Sequence, residues 1–173
     1  MRTFRNSYTN GVPATNAQVT RILIADGHWI FRDGLRILLE TEPGFRVVGE
    51  AGDGEEAITL VRELKPDVLL LDLNLPMPCY PKRILACLLR SLGLHSPAGR
   101  RPPSQPEPGF DTLRELAGLL TSVRTIVLAA ALERSEIFQA RQLGARVVVL
   151  KHSGTEVLFE SIRTVMADRY TSP

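Results

Sequence analysis

The chain is short of cysteine, of long apolar runs and of charge of one sign, and each shortage removes a class of protein. Two cysteines, Cys79 and Cys87, among 173 residues make no disulfide framework and fit a reducing cytoplasm. No apolar stretch approaches the ~18 residues that a membrane span needs. Residues 1–20 are polar, rich in Asn and Thr, and lack the apolar heart of a secretion signal, so they read as a disordered leader. Lys and Arg number 21 against 19 Asp and Glu, and a net charge of +2 makes no electrostatic case for nucleic acid. The sequence also lacks a Gly-rich nucleotide loop, a metalloprotease helix motif and a nucleophile elbow. With 44% hydrophobic residues it can bury the core of one globular domain, predicted over residues 21–173.

What is present is organised around Pro66-Asp67-Val68-Leu69-Leu70-Leu71-Asp72-Leu73-Asn74-Leu75-Pro76. A short apolar run bounded by proline predicts a strand covered on both faces, as in a parallel sheet. A carboxylate inside such a core would cost roughly several kcal/mol. At the strand's end it can face the crevice where open α/β sheets place their chemistry, which singles out Asp72.

Around this strand the rhythm alternates. Arg21–Ala25 is a first strand ending in Asp26-Gly27-His28, and Trp29–Glu40 is a helix with Ile30, Gly34, Leu35, Leu38 and Leu39 on its apolar face. Phe45–Glu50 is a second strand. Asp53 caps a second helix whose stripe is Ala57, Ile58, Val61 and Leu64. Further on, Phe110–Leu120 is helical, with Leu113, Leu116, Leu119 and Leu120 on one side. Thr125–Ala129 is a fourth strand, and Glu133–Leu143 a helix closed by Gly144. Arg146–Leu150 is a fifth strand, followed by Lys151, and Thr155–Asp168 is a last helix with Val157, Leu158, Ser161, Ile162, Val165 and Met166 at the core spacing. Five strands alternating with helices predict a doubly wound parallel α/β sheet.

One stretch breaks the rhythm. Residues 77–109 form a connection longer than compact domains usually carry. Pro81–Leu94 has a helical apolar face of Ile84, Leu85, Leu88, Leu89 and Leu92, and Ser96–Pro108 is a Pro- and Ser-rich tether. Cys79, Cys87 and His95 are spaced eight apart, which on a helix is ~12 Å, too far for one ion. Arg100-Arg101 is too short a basic spot to argue for nucleic acid.

A parallel sheet puts the C-terminal ends of its strands on one edge, which gathers Asp26, Asp72, Ala129 and Lys151. Two carboxylates favour a hard divalent cation such as Mg2+, and an ammonium adds a contact for phosphate. Such a set suits phosphoryl transfer, with Asp as the nucleophile. An ordinary cleft salt bridge between Lys151 and Asp72 is the alternative.

Three motifs in order, Ile24-Ala25-Asp26-Gly27-His28, Leu71-Asp72-Leu73-Asn74-Leu75-Pro76 and Gly144-Ala145 running to Leu150-Lys151, resemble the receiver domain of bacterial two-component response regulators. With Phe31-Arg32-Asp33-Gly34-Leu35 the likeness is greatest to receivers that precede a helix-turn-helix DNA-binding domain. The resemblance implies a flavodoxin-like five-stranded receiver fold with an insertion after strand three. It implies that Asp72 accepts a phosphoryl group from a sensor histidine kinase and that Lys151 contacts the phosphoryl oxygens. Mg2+ would be held by Asp26, Asp72 and the backbone carbonyl of Asn74. It further implies a cytoplasmic signalling protein rather than an enzyme, and allows a homodimer through the last helices. No helix-turn-helix follows the last helix, so DNA binding is expected only from an output domain in a longer protein.

The sequence departs from that family at three positions. Gly27 stands where a second acid is usual, Ala129 where a Thr or Ser is usual, and Val148 where an aromatic residue is frequent. A weaker Mg2+ site and weak or conditional phosphorylation are expected from them. They also raise an alternative, a pseudo-receiver that signals by protein contact without phosphate. A phosphatase-like enzyme would need a second acid two residues after Asp72, where Asn74 stands.

Overall fold

The computed structural model describes residues 19–76, 108–119 and 122–167. The predicted helix Pro81–Leu94, the tether after it, Cys79, Cys87, His95 and most of the predicted leader lie outside the described residues. Five strands and five helices alternate: β1 (Thr20–Ala25), α1 (Trp29–Glu40), β2 (Phe45–Ala51), α2 (Gly54–Leu64), β3 (Val68–Asp72), α3 (Pro108–Gly118), β4 (Arg124–Ala129), α4 (Arg134–Gln142), β5 (Ala145–Leu150) and α5 (Thr155–Ala167). The strands pair in the order β2-β1-β3-β4-β5, all parallel. The doubly wound sheet expected from the apolar runs is therefore the observed one. No described helix is long and apolar enough to cross a membrane.

Strand alternation splits the core into two layers. Leu23, Ala25, Leu69, Leu71 and Val127 face α2, α3 and α4, where they meet Ala57, Ile58, Val61, Phe110, Leu113, Leu116 and Ala140. Ile22, Ile24, Val68, Leu70, Ile126, Leu128 and Val149 face α1 and α5, where they meet Leu35, Leu39, Leu158, Phe159, Ile162 and Val165. Because β3 is central, every residue of Val68–Asp72 is buried, and the run reads as continuously apolar up to its acid.

Local signals account for most element ends. The Asp53 carboxylate accepts the Glu56 N–H at 2.9 Å at the start of α2, and Glu56 returns the contact by accepting the Gly52 N–H at 2.7 Å. Gly144, with φ of +97°, follows the end of α4 in the left-handed conformation that a glycine C-cap supplies.

Four expectations need correction. Thr20, expected within the leader, belongs to β1. Pro108 and Gly109 are the first residues of α3 rather than the end of a loop, since proline is tolerated in a first helical turn. Ile30 and Val157, both expected on core faces, are 67% and 50% exposed, and Phe159 fills the core instead of Val157. Ser161, expected on the same stripe, is partly exposed and donates its hydroxyl to the Val157 carbonyl.

The start of α3 is seated on the exit of β3. Gly109 donates its N–H to the Leu73 carbonyl at 2.9 Å, and a Cβ built on Gly109 would lie 2.3 Å from that oxygen and from Leu73 Cα. Neither atom can yield without moving backbone. Gly109→Ala should therefore lower stability by about 1–3 kcal/mol, the usual cost of overpacking. Gly118→Ala, at the far end of the same helix with open space around it, should be neutral or stabilising by up to about 1 kcal/mol. Urea unfolding of the two variants measures both, and equal losses would show that space at Gly109 is not the constraint.

Candidate functional site

Side-chain parity brings the site together. Asp26 continues the alternation of Ile22 and Ile24, Asp72 that of Val68 and Leu70, and Lys151 that of Val149, so all three point to the α1 and α5 side of the sheet. Ala25 pairs with Leu71 in the β1–β3 register, which sets Asp26 and Asp72 side by side one residue further on. Both acids have no exposed surface, and the Lys151 side chain is 15% exposed. The Lys151 Nζ lies 2.5 Å from Asp26 Oδ2 and 2.9 Å from Asp72 Oδ2, one ammonium between two carboxylates. The backbone fixes the lysine as well, through its N–H to the Ala129 carbonyl at 2.7 Å.

The remaining carboxylate oxygens are held by loop backbone. Asp72 Oδ1 accepts the Asn74 N–H at 3.1 Å. Asp26 Oδ1 accepts the His28 N–H at 2.8 Å, with the His28 ring Nδ1 at 3.2 Å. Asp72 Oδ2 is fully buried and makes no hydrogen bond of good direction, although the lysine is close enough to pair with it by charge. An under-coordinated buried oxygen beside a second carboxylate is what an oxygen-seeking cation such as Mg2+ requires, so the residues fit that ion.

The predicted set of Asp26, Asp72 and Lys151 is thus brought together, and Asn74 reaches it through its N–H. Sequence reasoning passed over four neighbours. Arg32 donates to the Asp26 carbonyl at 2.6 Å, which ties α1 to the end of β1. Lys151 Nζ lies 4.6 Å from the centre of the Phe31 ring, a cation–π contact. His28 touches Asp26 through its N–H and its ring. Pro76 covers Gly27, since a Cβ on that glycine would come within 2.8 Å of the proline Cδ. Arg32 and Phe31 were visible as an i, i+1 pair at the start of α1, but nothing in their spacing told which group each would meet. Trp29 beside them is 68% exposed, and His152 after Lys151 is also exposed.

Ala129 and Val148 stand on the opposite side of the sheet from the acids. Ala129 follows Val127 in alternation, and Val148 pairs with Val127 and packs against the same core layer. They supply neither hydroxyl nor ring there.

The Gly27–Pro76 contact has a measurable consequence. Gly27→Asp, which would place a second acid after β1, should lower stability by about 1–3 kcal/mol because the proline ring cannot bend away. Pro76→Ala should return part of that loss, with a coupling of about 0.5–3 kcal/mol between the two changes. Denaturant unfolding of the parent, both single variants and the double variant reads the coupling, and strictly additive losses would mean that Pro76 does not block position 27.

Comparison with known proteins adds three findings. Residues 22–78 match the family described as the response regulator receiver domain. The nitrate/nitrite response regulator protein NarP of Escherichia coli strain K12 is 35% identical over 143 residues, 83% of this chain and 53% of NarP. Response regulator GacA of Pseudomonas aeruginosa is 29% identical over 154 residues, 88% of this chain and 58% of GacA. The chain spans about half the length of the curated relatives it matches. Among solved structures, a two-component response regulator of the LuxR family from Aurantimonas sp. SI85-9A1 matches with a TM-score of 0.67 at 27% identity, covering 87% of this chain and 86% of that one. The signal receiver domain of the putative response regulator NarL from Mycobacterium tuberculosis shares the fold, with a TM-score of 0.63 at 24% identity over 90% and 99% of the two chains.

Proposed function

This chain carries a response regulator receiver domain, and from that premise we propose that Asp72 accepts a phosphoryl group from a sensor histidine kinase. One observation carries the reading: Asp26, Asp72 and Lys151 converge at the C-terminal edge of the sheet, with the lysine 2.5 and 2.9 Å from the two acids. A carboxylate oxygen of Asp72 attacks phosphorus. The phosphorus–nitrogen bond of the phosphohistidine breaks, the nitrogen keeps the electron pair and takes a proton, and an acyl phosphate forms on Asp72. Placement and charge neutralisation dominate such chemistry. Lys151 supplies one positive charge beside the incoming oxygens. Mg2+, held by Asp26, Asp72 and the Asn74 carbonyl, would supply the rest of the neutralisation.

The output side of the reading is set by what is missing. Ala129 has no hydroxyl to follow a phosphoryl group and Val148 no ring to follow the hydroxyl, so activation runs through other contacts of Lys151. A DNA-binding output domain in a longer protein, a homodimer through the last helices and a cytoplasmic setting belong to the same proposal. Retention of both acids and the lysine, despite the changes at Gly27, Ala129 and Val148, favours phosphoryl acceptance over signalling by contact alone.

Intact-mass spectrometry tests this. With acetyl phosphate and Mg2+ the parent should gain the mass of one phosphoryl group, and Asp72→Asn should gain none. Lys151→Met should label at least about tenfold more slowly, the lower end of what one removed electrostatic contact costs in such chemistry being higher still. A folded parent that gains no mass over a wide range of Mg2+ would overturn the proposal in favour of contact-only signalling.

A further inference from the structure

Among the described residues, two carboxylates and an imidazole, not three carboxylates, gather at the C-terminal edge of the sheet. Asp26, His28 and Asp72 each offer a donor atom, and these atoms lie within 4.8 Å of one another. Gly27 offers none, and Pro76 closes the space where an acid at that position would project. Asp26 divides its two oxygens: Oδ2 faces Lys151, while Oδ1 faces the His28 N–H at 2.8 Å and the ring Nδ1 at 3.2 Å. Asp72 Oδ1 faces the Asn74 N–H, and Asp72 Oδ2, fully buried, has the Lys151 ammonium at 2.9 Å but no well-directed hydrogen bond. The His28 side chain is 75% exposed, so its ring is free to turn about its bonds toward the cleft.

We propose that His28 is a metal ligand, and that with Asp26 and Asp72 it makes a one-nitrogen, two-oxygen site that selects a first-row transition divalent ion over Mg2+. The inference rests on the reading that this cleft holds a divalent cation. Mg2+ demands oxygen donors and gives up its waters reluctantly, so an imidazole adds nothing to its binding. Mn2+, Co2+ and Zn2+ accept imidazole readily, and their affinities rise along that series relative to harder ions. The ligating nitrogen must carry no proton. Nδ1, the ring atom that lies 3.2 Å from Asp26 Oδ1, offers its lone pair when the ring proton is on Nε2. Two carboxylates and a neutral imidazole leave the site anionic even with Lys151 present, which suits a doubly charged ion. The departure at Gly27 then changes the chemical identity of the third donor.

Trp29, the chain's one tryptophan, is next to His28 and reports the site without any phosphorylation assay. The experiment titrates the parent, His28→Ala and Asp26→Asn with MnCl2, CoCl2, ZnCl2 and MgCl2, following Trp29 emission and confirming each affinity by calorimetry. Circular dichroism establishes that the variants are folded. The parent should bind the transition ions at least about tenfold more tightly than Mg2+, and His28→Ala should lose about tenfold for those ions with Mg2+ affinity unchanged. Asp26→Asn should weaken all four. If Mg2+ binds and His28→Ala leaves the affinity for every ion unchanged, His28 is no ligand and this inference alone fails. If no ion binds the folded parent, the cation reading of the cleft fails with it.

Discussion

Two carboxylates with no exposed surface are held at the edge of a parallel sheet by one ammonium, and the rest of the molecule is arranged to make that tolerable. A buried acid whose partner is removed is left as an uncompensated charge, at a cost of roughly 3–5 kcal/mol. Here Lys151 lies within 2.9 Å of both acids, and backbone N–H groups from His28 and Asn74 take the oxygens it does not reach. The arrangement still leaves more negative than positive charge, and Asp72 Oδ2 without a directed bond. One positive charge thus serves two buried acids, and the cluster stays net negative. Stability alone would favour an apolar strand end at that place.

Holding that cluster depends on how closely the loops approach one another. The Pro76 carbonyl accepts the Gly54 N–H at 2.9 Å, and its ring lies over Gly27, so the exit of β3 is pinned between the β1–α1 and β2–α2 turns. On its other side the exit meets Gly109 at the start of α3. Gly109 thus lets backbone pack against backbone at the exit of β3, and Gly27 lets the Pro76 ring close over the β1–α1 turn, where a side chain would hold the loops apart. The long connection 77–107 runs between these two clamped points. Its length costs little in closure entropy, since each doubling adds only about 0.6 kcal/mol.

The architecture was legible in the sequence because it rests on periodicity. Apolar runs of four or five residues, broken by Gly, Pro and Asp and alternating with helical stripes, admit few arrangements other than a covered parallel sheet. The strand-end acids and lysine were legible for the same reason, since strand direction alone gathers them on one edge. Periodicity did not show which apolar residues a helix leaves outside. Ile30 and Val157 turn to the exposed sides of α1 and α5, while Leu158 and Phe159 are buried, with the Phe159 ring centre 5.7 Å from that of Phe45. Nor did it show the Gly27–Pro76 contact or the ring of Phe31 under Lys151, because each joins residues far apart in the chain through loop geometry that no repeat encodes.

That last contact bears on how such a site can be read by the rest of the molecule. A hydroxyl at the end of β4 and a ring in β5 would carry a change at Asp72 to the face of the sheet packed by α2, α3 and α4. Ala129 and Val148 close that route, and small apolar side chains keep that face as passive core. The lysine's other neighbour lies on the opposite face. Its ammonium is 4.6 Å from the Phe31 ring centre, and Phe31 borders an apolar groove between α1 and α5 that Leu35, Leu38, Leu128 and Leu158 also line. The same ammonium is thus in contact with both acids and with the Phe31 ring. A chain of contacts therefore runs from Asp72 through Lys151 and Phe31 to the groove between α1 and α5.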